Sequence, residues 1–212
     1  HIEYYRDKKW IFGNISQLRS DMMGMVSDYE ISYYVIEFDF KFCRHRSPEL
    51  HEFFENVVCD CSTTSHGKSI KEFYRLSKGV FFMSDKQRDR YKKEFDMDTN
   101  FHTLSSVFDD GFFDKIDALR KQYLHNKDSK WVRSGSPQWI KGAPEAEEWC
   151  KNNNLESYEI NGVSYDDSLE MIAKARGLCF LPRGGDTCPR LVIEAKLLGC
   201  ELELNENVMH KN

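Results

Sequence analysis

The residues of this chain that suggest chemistry are concentrated in one glycine-rich stretch, RGGDTCPRLVIEA. Asp186 directly follows Gly184 and Gly185, after an apolar run that stops at Pro182. Glycines at such a turn let a ligand approach the backbone, and the helix pattern that follows offers unpaired amides and a positive dipole end. The stretch is compatible with an anion site, most often one for phosphate, although on this feature alone an ordinary strand-to-helix turn is the favoured interpretation.

A second acid, Glu194, follows Asp186 by eight residues and lies among apolar neighbours in the helix pattern. Burying a carboxylate without a partner is costly, so this position predicts a partner. With a helix start near Cys188, Glu194 lies six residues, or about 9 Å, into the helix. A ribose held beside bound phosphates would reach it there. The alternative is an internal ion pair with Lys141, Lys196 or an arginine.

The elements that must position these acids alternate between strand and helix patterns. Strand patterns cover residues 9–13, 31–38, 79–83, 102–107, 130–135, 157–161, 178–182 and 200–204. Helix patterns cover 16–28, a stretch that starts at Ser47 and Pro48, then 85–95, 110–123, 143–153, 165–176 and 188–198. Strands that are apolar on both faces and alternate with helices indicate parallel sheets covered by helices.

The polar stretch LHNKDSK, at residues 124–130, separates two halves of similar build. The sequence thus predicts an α/β fold with two Rossmann-like lobes that face each other, over residues 1–125 and 126–212. In open sheets of this kind, ligands bind beyond the carboxyl ends of the strands, which is where Asp186 lies.

Three helix boundaries have local signals. Ser84 with Gln87 predicts a capping box, and Gly177 and Gly199 are predicted to end the helices before them.

Composition narrows the class of protein. The chain has 212 residues, of which 40% are hydrophobic and 31% charged, as in a globular rather than a disordered protein. Its net charge of −5 argues against a nucleic-acid binder, and no run approaches the roughly 20 apolar residues of a membrane span. Seven scattered cysteines and no visible signal peptide indicate a reducing, cytoplasmic location.

The segment DTCPRLVIEA resembles the E-x7-E signature of retaining glycosyltransferases with the GT-B fold, in the broad group 1 or family 4 class. Lys141-Gly142 in SGSPQWIKG is similar to the Lys-Gly pair of that family, and SYDDSLEMIAKARGLCFLP resembles the helix and strand before the signature. SKGVFFMSDKQRDRYKKEF resembles the last strand and helix of the acceptor lobe. The resemblance covers roughly residues 70–205, and the compact length is also similar to that of bacteriophage glycosyltransferases, which implies an enzyme of the host cytoplasm.

The resemblance implies a hexosyltransferase that moves a sugar from a nucleotide diphosphosugar to an unknown glycan, lipid or small-molecule acceptor, with retention of configuration. It implies catalytic roles for Asp186, which holds the sugar, and Lys141, which neutralises the leaving diphosphate. It assigns ribose binding to Glu194. The other implied donor-binding residues are Gly184, Gly185, Thr187, Cys188, Arg190, Ser136 and Gly142. No metal or other cofactor is expected.

Two departures from the family pattern leave other functions open. Asp186 replaces the first glutamate of the signature, and Ser136 replaces an arginine whose phosphate contact would fall to Arg133, Arg183 or Arg190. The N-terminal, acceptor-side lobe is expected to be reduced or truncated relative to longer members. The alternatives are a non-catalytic protein that binds a nucleotide sugar, and an epimerase or phosphorylase on the same fold.

In the first half of the chain, polar residues just after strand patterns suggest acceptor-side groups, namely Glu37, Asp39 and His66. The alternative for each is an ordinary surface residue.

Residues 43–66 also contain zinc-type ligands, which are Cys43, His45, His51, Cys59, Cys61 and His66. Their spacing lacks the Cys-x2-Cys pairs of a strong zinc prediction, so structural zinc is only the minor alternative.

Overall fold

The computed structural model describes residues 2–97 and 100–211. Its contacts divide the chain into two compact units, His1–Ser105 (unit 1) and Ser106–Asn212 (unit 2). Each unit contains a four-stranded parallel sheet with helices, so the predicted α/β class and parallel sheets are confirmed. The division falls 20 residues before the predicted boundary, because the helix at 110–123 packs on a helix of unit 2.

The sheet of unit 1 has the strand order β1-β2-β3-β4, which is also the order along the chain. Its strands are β1 Trp10–Phe12, β2 Tyr33–Glu37, β3 Gly79–Phe82 and β4 Phe101–Thr103. Its helices are α1 Ser20–Asp28, α2 Pro48–Glu55, α3 Ser65–Leu76 and α4 Asp85–Phe95. Aromatic rings fill much of the core, including Tyr33, Phe73, Tyr74, Phe82, Tyr91 and Phe95. Helix α3 was not among the predicted elements.

The predicted starts of two helices in unit 1 are confirmed by their caps. The hydroxyl of Ser47 accepts from the amide of Leu50 at 3.2 Å, and Pro48 opens α2. The hydroxyl of Ser84 accepts from the amide of Gln87 at 3.2 Å. The return bond of the capping box differs from the prediction, since the Gln87 side chain accepts from the amide of Met83 at 2.8 Å.

The sheet of unit 2 has the strand order β6-β5-β7-β8. Its strands are β5 Trp131–Ser134, β6 Ser157–Ile160, β7 Gly177–Phe180 and β8 Glu201–Leu204. Its helices are α5 Asp110–Tyr123, α6 Ala143–Asn152, α7 Tyr165–Lys174 and α8 Arg190–Leu197. The core of this unit is more aliphatic, and joins α5, α7 and α8 to β5 and β7 through residues such as Leu169, Ile172, Leu178 and Leu198.

The two glycines predicted to end helices behave differently. Gly199 has φ +73° directly after the C-cap of α8, as predicted. The prediction for Gly177 is wrong, because α7 ends at Lys174 and Ala175 is already extended at φ −71°, ψ 149°. Gly177 is instead the first residue of β7, where a Cβ would lie 2.8 Å from the Trp131 ring. It permits close packing between neighbouring strands.

The helices of both units are short. The 14 residues of α5 correspond to about 21 Å, against about 30 Å for the hydrocarbon core of a bilayer. Among the described residues, no helix combines the length and the apolar character that a membrane crossing requires.

Candidate functional site

The glycine-rich loop after β7 is held against the turn before α6 by backbone contacts. Gly142 has φ +62°, and a Cβ there would overlap the carbonyl oxygen of Leu181, so the close approach requires glycine. The amide of Arg183 donates to the carbonyl of Ile140 at 3.1 Å. These contacts fix Lys141 beside the loop that carries Asp186.

The two residues predicted to be catalytic touch each other. Nζ of Lys141 donates to Oδ2 of Asp186 at 2.6 Å, with side-chain exposures of 30% and 8%. An ammonium group has three donor hydrogens, so Nζ can keep this bond and still donate to an anion. The partly exposed ammonium of Lys141 therefore lies at the glycine loop, with its charge balanced by the carboxylate of Asp186.

A segment that sequence reasoning missed, residues 205–211, covers Asp186. The amide of Asp186 donates to the carbonyl of Asn207 at 2.9 Å, and the amide of Met209 donates to the carbonyl of Asp186 at 3.1 Å. Asp186 and Val208 form a parallel bridge. Both ring nitrogens of His210 are buried with no hydrogen-bond partner among the described residues, and burial lowers the pKa of this imidazole.

The loop residues predicted to bind the donor lie close to the start of α8. Gly184, Gly185 and Thr187 are buried, and Cys188 is half-buried. Sγ of Cys188 lies 2.6 Å from Oγ of Ser106, and burial raises the pKa of the thiol. Helix α8 begins at Arg190, two residues later than predicted, because Pro189 is extended at φ −72°, ψ 94°.

The later helix start moves Glu194 closer to the loop. It lies four residues after Arg190, which is about 6 Å along the helix rather than about 9 Å. Its side chain is buried, and Oε1 accepts from the hydroxyl of Tyr165 at 2.8 Å and lies 3.7 Å from Nε of Arg190. Of the predicted internal partners, an arginine is therefore the one present. Burial raises the pKa of Glu194, and raises that of Tyr165 to about 12.

Arg190 lies between two aromatic rings at the edge of this site. Its guanidinium is 4.7 Å from the ring centroid of Phe108 and 5.7 Å from that of Tyr165, and its side chain is 54% exposed. Beside it lies a cavity of 310 Å³, which is also lined by Lys115 and Phe112. The cavity thus combines aromatic walls with two cations, within reach of the Glu194 helix.

Ser136 and the other two candidate arginines are engaged elsewhere in unit 2. Oγ of Ser136 accepts from the amide of Gln138 at 3.3 Å, in the loop after β5. Nη1 of Arg133 lies 2.7 Å from Glu159. Arg183 pairs with Glu145. Of the three arginines, Arg190 is the one that lies beside Glu194, and its side chain is 54% exposed.

In unit 1, Glu37 is satisfied by its own surroundings. It is 1% exposed; Oε2 accepts from the hydroxyls of Tyr74 and Tyr91, the latter at 2.9 Å. Oε1 accepts from Nζ of Lys41 at 3.3 Å and from the amide of Asp39 at 2.9 Å. Burial raises the pKa of Glu37. These four bonds suit a structural role, and the acceptor role stays a prediction.

His66 lines a cavity of unit 1, and Asp39 pairs with two of the basic residues that line it. Asp39 pairs with Lys41 and Arg46, and Nε2 of His66 lies 2.8 Å from the carbonyl oxygen of Lys41. The cavity has a volume of 320 Å³, and its lining includes His66, Lys41, Arg46 and Arg44. His66 is therefore at a concave surface near the carboxyl end of β2, whose cations are paired with carboxylates of the same unit.

Comparisons with known proteins concern the fold. No family model and no curated protein matches this chain. Three similar solved structures are crystal structures of Anabaena Alr3699/HepE, in complex with UDP (TM-score 0.60, 10% identity), with UDP and glucose (0.59, 11%) and with UDP-glucose (0.56, 10%). They cover 95%, 95% and 97% of this chain, which spans 60%, 60% and 62% of theirs. The chain therefore has a GT-B-like fold of two Rossmann-like units, over about three fifths of the HepE length.

Proposed function

We propose that this chain is a glycosyltransferase that binds a nucleotide diphosphosugar through unit 2. The observation that carries the proposal is the convergence of Lys141, Asp186 and Glu194 on one glycine-rich loop and the helix after it. The similarity of the fold to a protein crystallised with UDP-glucose supports a nucleotide sugar as the ligand. A uridine nucleotide is accordingly the first donor to test.

The diphosphate would be held by positive charge at the loop. Lys141 is partly exposed there, Arg190 is exposed one helical turn before Glu194, and the N-terminus of α8 adds its dipole. A carboxylate has about four acceptor positions, and Tyr165 and Arg190 account for two at Glu194. Ribose hydroxyls can therefore donate to Glu194 without displacing its internal partners.

The chemistry of such a site is charge stabilisation on the leaving group. As the sugar–phosphate bond breaks, the sugar becomes oxocarbenium-like and negative charge grows on the departing diphosphate. Lys141 and Arg190 would stabilise that charge from fixed positions, and Asp186 would accept hydrogen bonds from sugar hydroxyls. We infer retention of configuration, a hexosyl donor and no metal requirement for this step. Group 1 membership and a cytoplasmic, phage-encoded origin stay predictions.

The first experiment is calorimetric titration with UDP and UDP-glucose. Glu194→Ala is expected to weaken binding about tenfold or more, equivalent to about 1.4 kcal/mol or more. The matched control is Glu201→Ala. It removes an exposed glutamate of β8 whose partner is Arg176. Equal affinities for the two variants would contradict the ribose-binding role of Glu194.

The second experiment separates transfer from binding alone. Released UDP is measured after incubation with UDP-glucose, without added Mg²⁺ or Mn²⁺, and with candidate acceptors. Release that is lost in Lys141→Met supports a transferase. Binding without release would favour the non-catalytic alternative, an isomerised donor would favour an epimerase, and no binding of any nucleotide sugar would refute the proposal.

A further inference from the structure

Three cysteines and a histidine that span 19 positions of the sequence, from residue 43 to residue 61, meet in unit 1. The ligand atoms of Cys43, His51, Cys59 and Cys61 all lie within 4.8 Å of one another. We propose that these four side chains form a structural Zn²⁺ site. The site belongs to unit 1 alone and does not depend on the donor site proposed for unit 2.

The spacing of the ligand atoms fits a tetrahedral ion. Zn–S bonds of about 2.3 Å and Zn–N bonds of about 2.0–2.1 Å place the ligands of a tetrahedron about 3.5–3.8 Å apart. Nδ1 of His51 lies 3.2 Å from Sγ of Cys61 and 3.9 Å from Sγ of Cys43. Binding therefore requires shifts of only a few tenths of an ångström for this histidine and these two thiols.

The donor set and its burial are those of a closed structural site. Cys43 and His51 are each 1% exposed and Cys61 is 4% exposed, while Cys59 is half-buried. Three thiolates and one imidazole complete four-coordination, which leaves no open position for a substrate. A metal here would thus stabilise the fold and take no part in sugar transfer.

His51 is poorly satisfied by protein groups alone. The described partners of Nδ1 are the two sulfurs, which are weak hydrogen-bonding groups, and Nε2 is buried with no partner among the described residues. A buried polar group without adequate partners is costly. A metal bond at Nδ1 would offset part of that cost.

Few side chains of helix α2 are buried, although Glu49 pairs with Arg90 of α4. Helix α2 buries only Pro48 and His51, and its Phe53 and Phe54 are 60% and 64% exposed. On the other side, a Cβ at Gly67 would overlap the carbonyl oxygen of Cys61, so the first turn of α3 lies directly against that ligand. An ion bound by the four residues would tie the loop before α2, the helix itself and the loop after it to α3.

The other two zinc-type residues of the segment are used differently. His45 pairs with Glu55 at 2.9 Å, and His66 faces the carbonyl oxygen of Lys41. The fold therefore selects four of the six candidates in the sequence. The competing arrangement of the same residues is a disulfide between two of the three cysteines.

The test is the metal content of the purified full chain. The protein is incubated with Zn²⁺ under reducing conditions, and excess metal is removed. Inductively coupled plasma mass spectrometry is then expected to find about one zinc per chain. After replacement by Co²⁺, thiolate-to-cobalt charge-transfer bands and the visible bands of tetrahedral cobalt are expected. Less than about a tenth of an equivalent of metal, or a disulfide among these cysteines that persists under the reducing conditions, would overturn the proposal.

Substitutions locate the ligands. Cys43→Ser and Cys61→Ser are expected to lose the metal, whereas Cys150→Ser, which alters a buried cysteine of unit 2, should retain it. If the first two variants do not fold, the cobalt spectrum of the unaltered chain still decides. A cobalt spectrum without thiolate charge-transfer bands would refute the proposal. Full zinc content in folded Cys43→Ser and Cys61→Ser would refute it as well.

Discussion

The two units bury polar groups in opposite ways. In unit 1, Glu37 is enclosed by side chains, since Tyr74, Tyr91 and Lys41 all donate to it. In unit 2, the loop that carries Asp186 is held mainly by backbone contacts, from Gly142 and from residues 207–209. A network of side chains uses up its donors and acceptors internally. At the loop of unit 2, the ammonium of Lys141, 30% exposed beside Asp186, keeps donor hydrogens for a ligand.

The largest expected effect comes from breaking the network of unit 1. Glu37→Gln removes the buried charge that pairs with Lys41, leaves Asp39 as the remaining carboxylate beside that ammonium, and places an amide among the hydroxyls of Tyr74 and Tyr91; together these changes cost about 3–5 kcal/mol. Urea unfolding followed by circular dichroism measures the loss. Glu72→Gln is the control, because its pair with Arg75 is exposed and is worth at most about 1 kcal/mol. Equal losses in the two variants would show that the network is not a unit of stability.

The backbone support of unit 2 is tested with two glycines that share a left-handed conformation. Gly162 has φ +66° and open space around the position of a Cβ. Gly162→Ala should therefore lower the free energy of unfolding by about 1–2 kcal/mol, through the backbone dihedral alone. Gly142→Ala adds the overlap with Leu181, which brings the total to about 3 kcal/mol. Unfolding curves measure both. UDP affinity should fall only in Gly142→Ala, and a fall in Gly162→Ala as well would contradict the local role.

Lys141 is expected to contribute to phosphate binding as well as to stability. Lys141→Met leaves Asp186 without its ammonium partner and is expected to cost about 1–2 kcal/mol of unfolding free energy. UDP affinity should fall about tenfold, which corresponds to about 1.4 kcal/mol, while uridine affinity stays constant. Titration of both ligands measures the difference, and Lys151→Met, at a 70% exposed side chain, is the control. Equal losses for UDP and uridine would remove Lys141 from the phosphate site.

The smallest effect concerns the pH dependence at Glu194. Because burial raises the pKa of Glu194 in the folded state, this group favours folding while protonated. Its contribution is full below the unfolded pKa of about 4.3 and is lost as pH rises through the raised folded pKa. Glu194→Gln should therefore gain stability relative to the unaltered chain as pH rises from about 4 to about 7. A constant difference across that range would show that Glu194 is solvated.

Most elements could be predicted because their signals are local. The pattern DKQRDRYKKEF matches α4 residue for residue, and α5 begins and ends as expected. The signal for α3 was also present, since Thr64 caps a helix that buries Ile70, Phe73 and Tyr74 at helical spacing. The error at Gly177 arose because a helix end and a close strand contact both favour glycine.

The candidate site was less accessible to sequence reasoning. The contact between Lys141 and Asp186 joins residues 45 positions apart, and only the family resemblance brought them together. The segment over Asp186 is held by backbone hydrogen bonds and by the side chains of Asn205 and Asn207, which donate to the carbonyl of Pro182, and these residues match no motif that the sequence analysis considered. The cysteine and histidine cluster was undervalued because its ligand spacing follows no common zinc motif, although the fold brings four of the ligands together.

The bridge between Asp186 and Val208 also has a consequence for the order of folding. A ribosome that adds about 5–20 residues per second makes Met209 about 1–5 s after Asp186. During that interval the strands and helices up to α8 can already pack, while the glycine loop still lacks the partners of its main chain. The loop that carries the candidate chemistry therefore acquires its main-chain partners only after the elements that precede it in unit 2 have been made.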